Sequence, residues 1–301
     1  MTSNETKNIL KLVSELSSGF NKNINEFAII LAAGHGKRLN SDKSKMLHTI
    51  DGIPTIERVL NACIKAVEGI NTVIVVGIKA EDVMDSLGKR TNNIYAYQDV
   101  QNGTGHAVQV AMEGIKHIPD DSIVYILPGD MGLIDAETIK QFREEFIKSN
   151  ADMIVLTGFY DGKPEDNYYG RIVRVKEKSG NVIRIMEHKD ILVLPDDELY
   201  TVTYNDKNYT YTKEELINNN EYNSGVFAFR YGKLANMIGE LKSNNVQSEI
   251  YLTDLIELFN GKGYTVAAAS PGKNYVVMGF NTQEVLKEMN EIARKINENN
   301  R

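Results

Sequence analysis

A chain of 301 residues with 42% hydrophobic and 25% charged residues has the composition of a globular protein with a full hydrophobic core. Its net charge of −7 argues against non-specific binding to nucleic acid, although it is compatible with a local basic pocket for a phosphorylated small molecule. The single cysteine, Cys63, excludes an internal disulfide and a cysteine metal cluster, and no apolar run approaches the ~20 residues that span a bilayer.

The first 26 residues predict an N-terminal extension. Apolar residues recur at helical spacing between Ile9 and Leu16, including Leu10, and Gly19 marks the end of the predicted helix. The segment lacks a basic stretch followed by an apolar core and a small-residue cleavage site, so it does not resemble a secretory signal. We therefore expect a cytoplasmic protein without a membrane partner.

From residue 27 onwards, apolar strand segments alternate with helical patterns. The run at 27–31 has no polar alternation, which is typical of a strand buried on both faces. Further strands are predicted at 72–76, 94–98, 122–127 and 153–157, with helices at 54–69, 80–87, 106–115 and 135–148. This alternation predicts an α/β fold with a Rossmann-like, mostly parallel sheet flanked by helices.

The pattern changes near residue 160. We interpret 158–260 as a mixed α+β lobe that carries an insertion at 191–220, and 261–301 as closing strands and a helix of the same domain, which begins at 27. The predicted elements are strands at 171–175, 181–185, 222–229, 264–269 and 275–278, a hairpin at 200–211, and helices at 213–218, 231–241, 250–258 and 282–297.

The loop after the first strand predicts a phosphate site. Residues 32–38 (AAGHGKR) place small residues and then cations directly after a buried strand. Small residues let backbone N–H groups approach an anionic ligand, and Arg38 and Lys45 can balance its charge. The loop lacks the Gly-Lys-Ser/Thr of a Walker motif and the third glycine of a dinucleotide-binding loop. A tight turn with solvated cations is the structural alternative.

With the later motifs, this loop carries a family resemblance. The motifs are LAAGHGKRLNSDKSKMLH at 31–48, GTGHA at 103–107, GD at 129–130, YYGRIVR at 168–174, EHKD at 187–190, YNSG at 222–225 and EIYLTD at 249–254. From about residue 27 to its end, the chain resembles the sugar-1-phosphate nucleotidyltransferases. Within that family it looks most like the N-terminal pyrophosphorylase half of the bacterial bifunctional N-acetylglucosamine-1-phosphate uridyltransferases.

The resemblance implies a reaction and a cofactor. UTP and N-acetylglucosamine 1-phosphate would yield UDP-N-acetylglucosamine and pyrophosphate, with Mg²⁺ and without a covalent intermediate. Catalysis of an in-line attack between two anions depends on positioning and charge neutralisation. The resemblance assigns Arg38 to the β- and γ-phosphates, and Lys45 to the α-phosphate and the attacking phosphate.

The resemblance also implies the binding residues. It assigns Mg²⁺ to Asp130 and Asn281, whose oxygen atoms suit this ion. The implied nucleotide-binding residues are Leu31, Ala32, Gly34, Gln98, Gly103 and Thr104, and the implied sugar-binding residues are Tyr169, Gly170, Glu187, Asn223 and Tyr251. Taken singly, Asp130 is also typical of a turn and Asn281 of a helix cap.

Several alternatives stay open at this point. Pro128 precedes Gly-Asp where relatives usually carry an aromatic or polar residue, and 191–220 is longer than the usual connection. Another sugar phosphate such as glucose 1-phosphate, another base, or a non-catalytic sugar-nucleotide sensor are alternatives. Intact Arg38, Lys45, Asp130 and Asn281 argue against the sensor. The resemblance implies no particular oligomeric state.

Overall fold

The computed structural model describes residues 3–34, 36, 39, 41–177 and 180–299. In chain order its strands are β1 (Glu26–Ala32), β2 (Thr49–Ile50), β3 (Ile53–Pro54), β4 (Asn71–Val76), β5 (Asn93–Tyr97), β6 (Ile123–Pro128), β7 (Met153–Phe159), β8 (Arg171–Arg174), β9 (Val182–Met186), β10 (Tyr200–Tyr204), β11 (Lys207–Tyr211), β12 (Glu221–Arg230) and β13 (Val266–Ala269). Its α-helices are α1 (Ser3–Leu16), α2 (Thr55–Ala66), α3 (Ala80–Leu87), α4 (Thr104–Glu113), α5 (Ala136–Ser149), α6 (His188–Leu192), α7 (Lys213–Asn218), α8 (Tyr231–Met237), α9 (Leu255–Gly261) and α10 (Gln283–Asn299). Among these residues, no helix has both the length and the apolar character needed to cross a membrane.

The central sheet confirms the predicted α/β fold. Its main path has the spatial order β13-β7-β12-β6-β1-β4-β5. Strands β4 and β6 flank β1 in parallel, β5 continues beyond β4, and β13 pairs in parallel with β7. Strand β12 is antiparallel to both of its neighbours, β6 and β7. The sheet is therefore mostly parallel, with one reversed strand inserted near its middle.

The reversed strand determines where side chains from the second half of the chain lie. The carboxyl ends of the parallel strands share one edge of the sheet, which is where such folds bind ligands. Because β12 runs the other way, its first residues reach that same edge, and Glu221 lies opposite Phe159 at the end of β7. Residues that begin β12 are thus brought beside those that end β1 and β6.

Both faces of the sheet are covered. Ile30 and Ala32 of β1 pack on one side with residues of α2, α3 and α5, whereas Phe27 and Ile29 pack on the other side with residues of α4, α8 and α9. All four side chains are almost fully buried. The uninterrupted apolar run of β1 follows from this burial on both faces.

The lobe inserted before β12 has a small core of its own. Hairpin β8–β9 joins the central sheet through the pairing of Arg171 with Tyr222. Hairpin β10–β11 lies apart from that sheet. Buried side chains of both hairpins, with Ile191 of α6 and Leu216 of α7, form a separate cluster. The segment 191–220 is therefore packed structure and not a loose connection.

The N-terminal extension covers an edge of the sheet. Helix α1 is followed by Ser17 and Ser18, which bind the outer strand β5. The backbone N–H of Ser18 donates to the Asn93 carbonyl at 2.7 Å, and the N–H of Tyr95 donates to Ser17 Oγ at 3.0 Å. These bonds satisfy backbone groups that an open edge strand would expose. Ile9 is buried, but Leu10, expected on the same face, is 51% exposed.

The strand predicted at 275–278 is wrong. Residues Asn274–Val277 form a 3-10 turn, in which the N–H of Met278 donates to the Tyr275 carbonyl. Val276 and Val277 are both buried in one core cluster. A short apolar run does not distinguish a strand from a buried helical turn, which is why the prediction failed. The helix predicted from 250 likewise begins later, at Leu255, after a 3-10 turn at Leu252–Asp254.

Candidate active site

The predicted nucleotide residues of β1 and β5 lie along one edge of the sheet. The N–H of Gly129, after β6, donates to the Leu31 carbonyl at 2.9 Å, and the N–H of Gln98 donates to the Val76 carbonyl at 2.8 Å. Ala32 is fully buried, whereas Gly34 is exposed. The segments that follow β5, β4, β1 and β6 therefore lie side by side along this edge, and Gly34 is exposed to solvent there.

The loop between β5 and α4 is held by contacts within itself and with the segment before α9. Gln98 is buried, its amide nitrogen donates to the Gly103 carbonyl at 3.3 Å, and that nitrogen lies 3.0 Å from His106 Nδ1. Thr104 Oγ1 accepts a hydrogen bond from the Leu252 N–H at 3.2 Å. The predicted base-reading residues are thus brought together and tied to the segment before α9.

Gly103 is required by both conformation and space. Its φ is +94°, and a Cβ atom there would lie 2.5 Å from the Ile250 carbonyl oxygen. Only glycine takes this backbone geometry without strain. The close approach lets the N–H of Ile250 donate to the Asn102 carbonyl at 2.9 Å.

Three side chains that are distant in sequence meet beside the end of β6. The Lys45 ammonium forms an ion pair with Asp130 and donates to Asn281 Oδ1 at 2.9 Å. It also lies 5.4 Å from the centre of the Phe280 ring. Lys45 is only 8% exposed, so this cation is held by a carboxylate, an amide and an aromatic face in a largely desolvated position.

Two glycines make this cluster possible. Gly36 has a φ of +63°, and a Cβ atom there would lie 2.8 Å from Lys45 Cβ. A Cβ atom on Gly279 would lie 3.2 Å from one oxygen of the Asp130 carboxylate.

The other predicted catalytic cation, Arg38, lies outside the described residues.

The two predicted metal ligands converge on a point that accepts a cation. Both Asp130 and Asn281 direct an oxygen atom at the same ammonium group. Carboxylate and amide oxygens are ligands that Mg²⁺ accepts. In the part of the chain that the structure describes, no group of three or more His, Cys, Asp or Glu side chains is placed to hold a metal. These donors therefore fit Mg²⁺ if phosphate oxygens and water complete its shell.

The predicted sugar residues form a second cluster across the edge. The N–H of Asn223 donates to the Gly170 carbonyl at 2.8 Å. A Cβ atom on Gly170 would lie 3.2 Å from both Glu187 carboxylate oxygens. Thr253 Oγ1, which sequence reasoning missed, donates to Glu187 Oε1 at 3.2 Å. Gly170 and the Thr253 hydroxyl thus lie against the Glu187 carboxyl, and Asn223 is joined to this pair through Gly170.

The Glu187 carboxyl lies in an unusual electrostatic environment. Burial, with a smaller contribution from the nearby carboxylates of Asp190, Asp254 and Glu249, raises its pKa to about 7, although the hydrogen bond from Thr253 opposes the shift. Burial also raises the pKa of Asp254 to about 6. A substantial fraction of Glu187 is therefore protonated near neutral pH, where it can donate a hydrogen bond as well as accept one.

Two tyrosines flank these clusters. Tyr169 stacks on Tyr222 with ring centres 4.4 Å apart, and its hydroxyl donates to the Gly279 carbonyl at 3.5 Å. Tyr251 is buried and its hydroxyl accepts from Gln247 Nε2 at 2.7 Å. Burial raises the pKa of both phenols to about 12, so both stay neutral.

Sequence reasoning did not single out several residues that complete these clusters. Thr253 lies in the EIYLTD motif, and Phe280 directly precedes Asn281. The available signals were the motif around Thr253 and the position of Phe280 beside the predicted metal ligand Asn281. The contact of Phe280 with Lys45 joins segments more than 200 positions apart, and no local pattern indicates it.

Comparison with known proteins agrees with the family resemblance of the sequence motifs. Residues 28–169 match the MobA-like NTP transferase domain family. The chain is 36% identical over 271 residues to the bifunctional protein GlmU of Acetivibrio thermocellus, an alignment that covers 89% of this chain and 51% of that protein. It is 37% identical over 273 residues to the bifunctional protein GlmU of Clostridium novyi, covering 90% and 53%. The chain thus spans about half the length of the curated relatives it matches.

A solved structure shares the fold at low sequence identity. The crystal structure of UDP-glucose pyrophosphorylase complexed with UDP-glucose aligns with a TM-score of 0.62 and 18% identity. The alignment covers 90% of this chain and 98% of that one. The arrangement of strands and helices is therefore the one found in a nucleotide-sugar pyrophosphorylase.

Proposed function

We propose that this chain, whose residues 28–169 match the MobA-like NTP transferase domain family, is a nucleotidyltransferase that transfers the uridylyl group of UTP to N-acetylglucosamine 1-phosphate. The observation that carries this proposal is the position of the Lys45 ammonium, between Asp130 and Asn281 and beside the ends of β1 and β6. A reaction that brings two phosphate groups together needs desolvated positive charge at such a place.

The proposed reaction is a direct displacement. An oxygen of the sugar phosphate attacks the α-phosphorus of UTP, the bond from that phosphorus to the bridging oxygen breaks, and pyrophosphate leaves with the electron pair. No protein nucleophile is needed, so the chain contributes orientation and charge. Lys45 balances the charge that accumulates where the two phosphates meet, and Arg38 is proposed to hold the departing pyrophosphate.

Asp130 and Asn281 are the proposed ligands of Mg²⁺. When bound, this ion would neutralise phosphate charge and act as a Lewis acid. The protein's own part is to hold the two oxygen donors in place. Gly279 allows close packing against Asp130, and the Phe280 ring contacts the Lys45 ammonium.

The nucleotide is proposed to bind along the edge formed by β5, β4 and β1. Backbone groups of Leu31, Ala32 and Gly34 would contact the nucleoside. Gln98, Gly103 and Thr104 would read the uracil ring, whose edge requires both a donor and an acceptor. Hydrogen bonds within this loop and from Leu252 would hold the base pocket in shape before the nucleotide arrives.

The sugar is proposed to bind against Gly170, Glu187 and Asn223, between Tyr169 and Tyr251. With a pKa raised to about 7, Glu187 can donate to a sugar or amide oxygen in its protonated form. The Thr253 hydroxyl orients this carboxyl through its hydrogen bond. Gly170, Glu187 and Asn223 are therefore the residues proposed to select the N-acetyl group.

A pyrophosphate-release assay tests the function. The purified chain is incubated with UTP, Mg²⁺ and a panel of sugar 1-phosphates, and then with N-acetylglucosamine 1-phosphate and a panel of nucleoside triphosphates. The highest kcat/KM is expected for UTP with N-acetylglucosamine 1-phosphate. A clear preference for glucose 1-phosphate or for another base would overturn the substrate assignment. Tight binding of UDP-N-acetylglucosamine without any turnover would favour a sensor instead.

A further inference from the structure

Arg171, at the start of β8, is a buried arginine without a carboxylate partner. Its side chain is fully buried and is among the largest buried side chains of the described residues. Among the ion pairs of the described residues none includes the Arg171 guanidinium, and its Nε has no hydrogen-bond partner. Burying a charge without an opposite charge beside it costs free energy, so this arginine needs a role that explains it.

The guanidinium is bound instead by main-chain carbonyls of the segment that leads to it. It donates to the carbonyls of Tyr169 and of Asn167, the latter at 2.7 Å, and to that of Pro164 at 3.5 Å. These three acceptors come from one short segment, which forms a turn that wraps around the planar group. Arginine suits this role because its fork of donors is rigid.

The residues held in this way face both clusters of the candidate site. Tyr169 stacks on Tyr222 and reaches the Gly279 carbonyl, next to the Lys45 and Asp130 pair. Gly170 packs against Glu187 and accepts the hydrogen bond of Asn223. None of the described hydrogen bonds of the Arg171 side chain goes to Tyr222, Gly279, Glu187 or Asn223. They go instead to the backbone of the segment that places Tyr169 and Gly170 against those residues.

We propose that Arg171 is a positioning residue of the sugar-phosphate site, which holds the 164–170 turn in the conformation that binds substrate. This inference rests on the proposed function, because it assigns the turn to the sugar half of that site. It predicts that loss of the Arg171 hydrogen bonds weakens use of the sugar phosphate and leaves use of the nucleotide unchanged.

The test compares Arg171→Lys, Arg171→Met and a control, Arg174→Lys. Arg174 lies in the same strand but pairs with both oxygens of Glu221 at 2.7 Å and donates to the Gly180 carbonyl. We expect both Arg171 variants to raise KM for the sugar phosphate by about tenfold or more, with KM for UTP changed by less than about twofold. Arg174→Lys should lower thermal stability but should not raise KM for the sugar phosphate selectively over KM for UTP. Equal KM changes for both substrates in the Arg171 variants would overturn the proposal.

Hydrogen exchange on the unmodified chain gives a second test that does not depend on the folding of a variant. If Arg171 holds the turn in place, the hydrogen-bonded amides of Asp166, Asn167 and Tyr169 exchange slowly in the free protein and change little when N-acetylglucosamine 1-phosphate is added. Fast exchange that becomes slow only with the ligand would contradict the inference. If no sugar phosphate is turned over but slow exchange is seen, the proposed function fails while the ordering of the turn stands.

Discussion

Lys45 and Asn281 are joined by a hydrogen bond of 2.9 Å, although 236 positions separate them in the chain. The same ammonium pairs with Asp130 at the end of β6. The loop after β1, the end of β6 and the segment before α10 therefore meet at one charged group. The site forms only when the first and last parts of the domain have both folded.

Replacing Lys45 with Met should reduce catalysis far more than binding. The ammonium is placed where charge accumulates as the two phosphates react, so its loss is expected to lower kcat by about 10²–10³. Steady-state kinetics with both substrates varied will measure this. Lys43→Met, which removes an exposed cation two positions earlier, is the matched control and should keep parental kcat. A Lys45→Met enzyme with kcat near that of the parent would show that this cation does not act in the reaction.

Replacing Asp130 with Ala should abolish Mg²⁺-dependent turnover and leave the fold intact. The residue supplies the one carboxylate of the proposed metal site, and Ala leaves Asn281 alone to bind the ion. Circular dichroism checks the fold, and titration of activity with Mg²⁺ checks the ion. Asp121→Ala, an exposed aspartate before β6, serves as the control. Turnover of the Asp130→Ala variant at the parental rate would refute the metal assignment.

Glu187 should make the stability of the protein depend on pH. Its pKa is raised from the usual 4.5 to about 7, chiefly by burial. Between these values the native state holds a proton that the unfolded chain has released, so the free energy of unfolding falls as pH rises through this window. The contribution of this group is complete below about pH 4.5 and is lost above about pH 7.

Urea unfolding of the parent and of Glu187→Gln at several pH values tests this expectation. The amide cannot titrate, so the free energy of unfolding of the variant should decline much less between pH 5 and 7 than that of the parent. The remaining decline is expected from Asp254, whose pKa is raised to about 6. Glu198→Gln, an exposed glutamate in the same lobe, should keep the parental slope. An unchanged slope in Glu187→Gln would mean that this carboxyl is ionised in the native state throughout.

Replacing Gly103 with Ala should destabilise the protein and weaken nucleotide use. A Cβ atom would meet the Ile250 backbone, and a φ of +94° is unfavourable for alanine, so we expect a loss of about 1–3 kcal/mol in the free energy of unfolding. Because the loop also carries Gln98 and Thr104, KM for UTP should rise. Gly239→Ala is the control, since a Cβ atom at that position would have no neighbouring atom within 4 Å. Equal stability of the two variants would be inconsistent with this explanation.

The sequence predicts the layered fold because its signals are local. Burial of β1 on both faces produces an uninterrupted apolar run, and each crossover helix shows its own periodicity. The strand predicted at 275–278 fails because two adjacent valines can be buried equally well in a 3-10 turn. Local pattern cannot separate these two outcomes in so short a run.

The candidate site is predicted through motifs and not through geometry. Gly170, Glu187 and Asn223 come from three separate motifs, and only the reversed direction of β12 explains why they meet. The contacts of Phe280 with Lys45 and of Thr253 with Glu187 depend on packing between distant segments. Such packing has no periodicity along the chain, so the sequence carries no local sign of it.

Strand β12 also has a consequence for how the two halves of the cleft can change over evolution. Its first residues include Asn223 of the predicted sugar cluster, and its later residues pair with β6 and β7 in the core, with a bulge between Asn223 and Val226. The segment from α6 to α7 lies in the chain between β9 and β12, two strands of the same sheet, so its length can change without a change in the register of β12. Sequence changes can therefore accumulate in that segment while the predicted sugar cluster and the charged centre at Lys45 keep their positions.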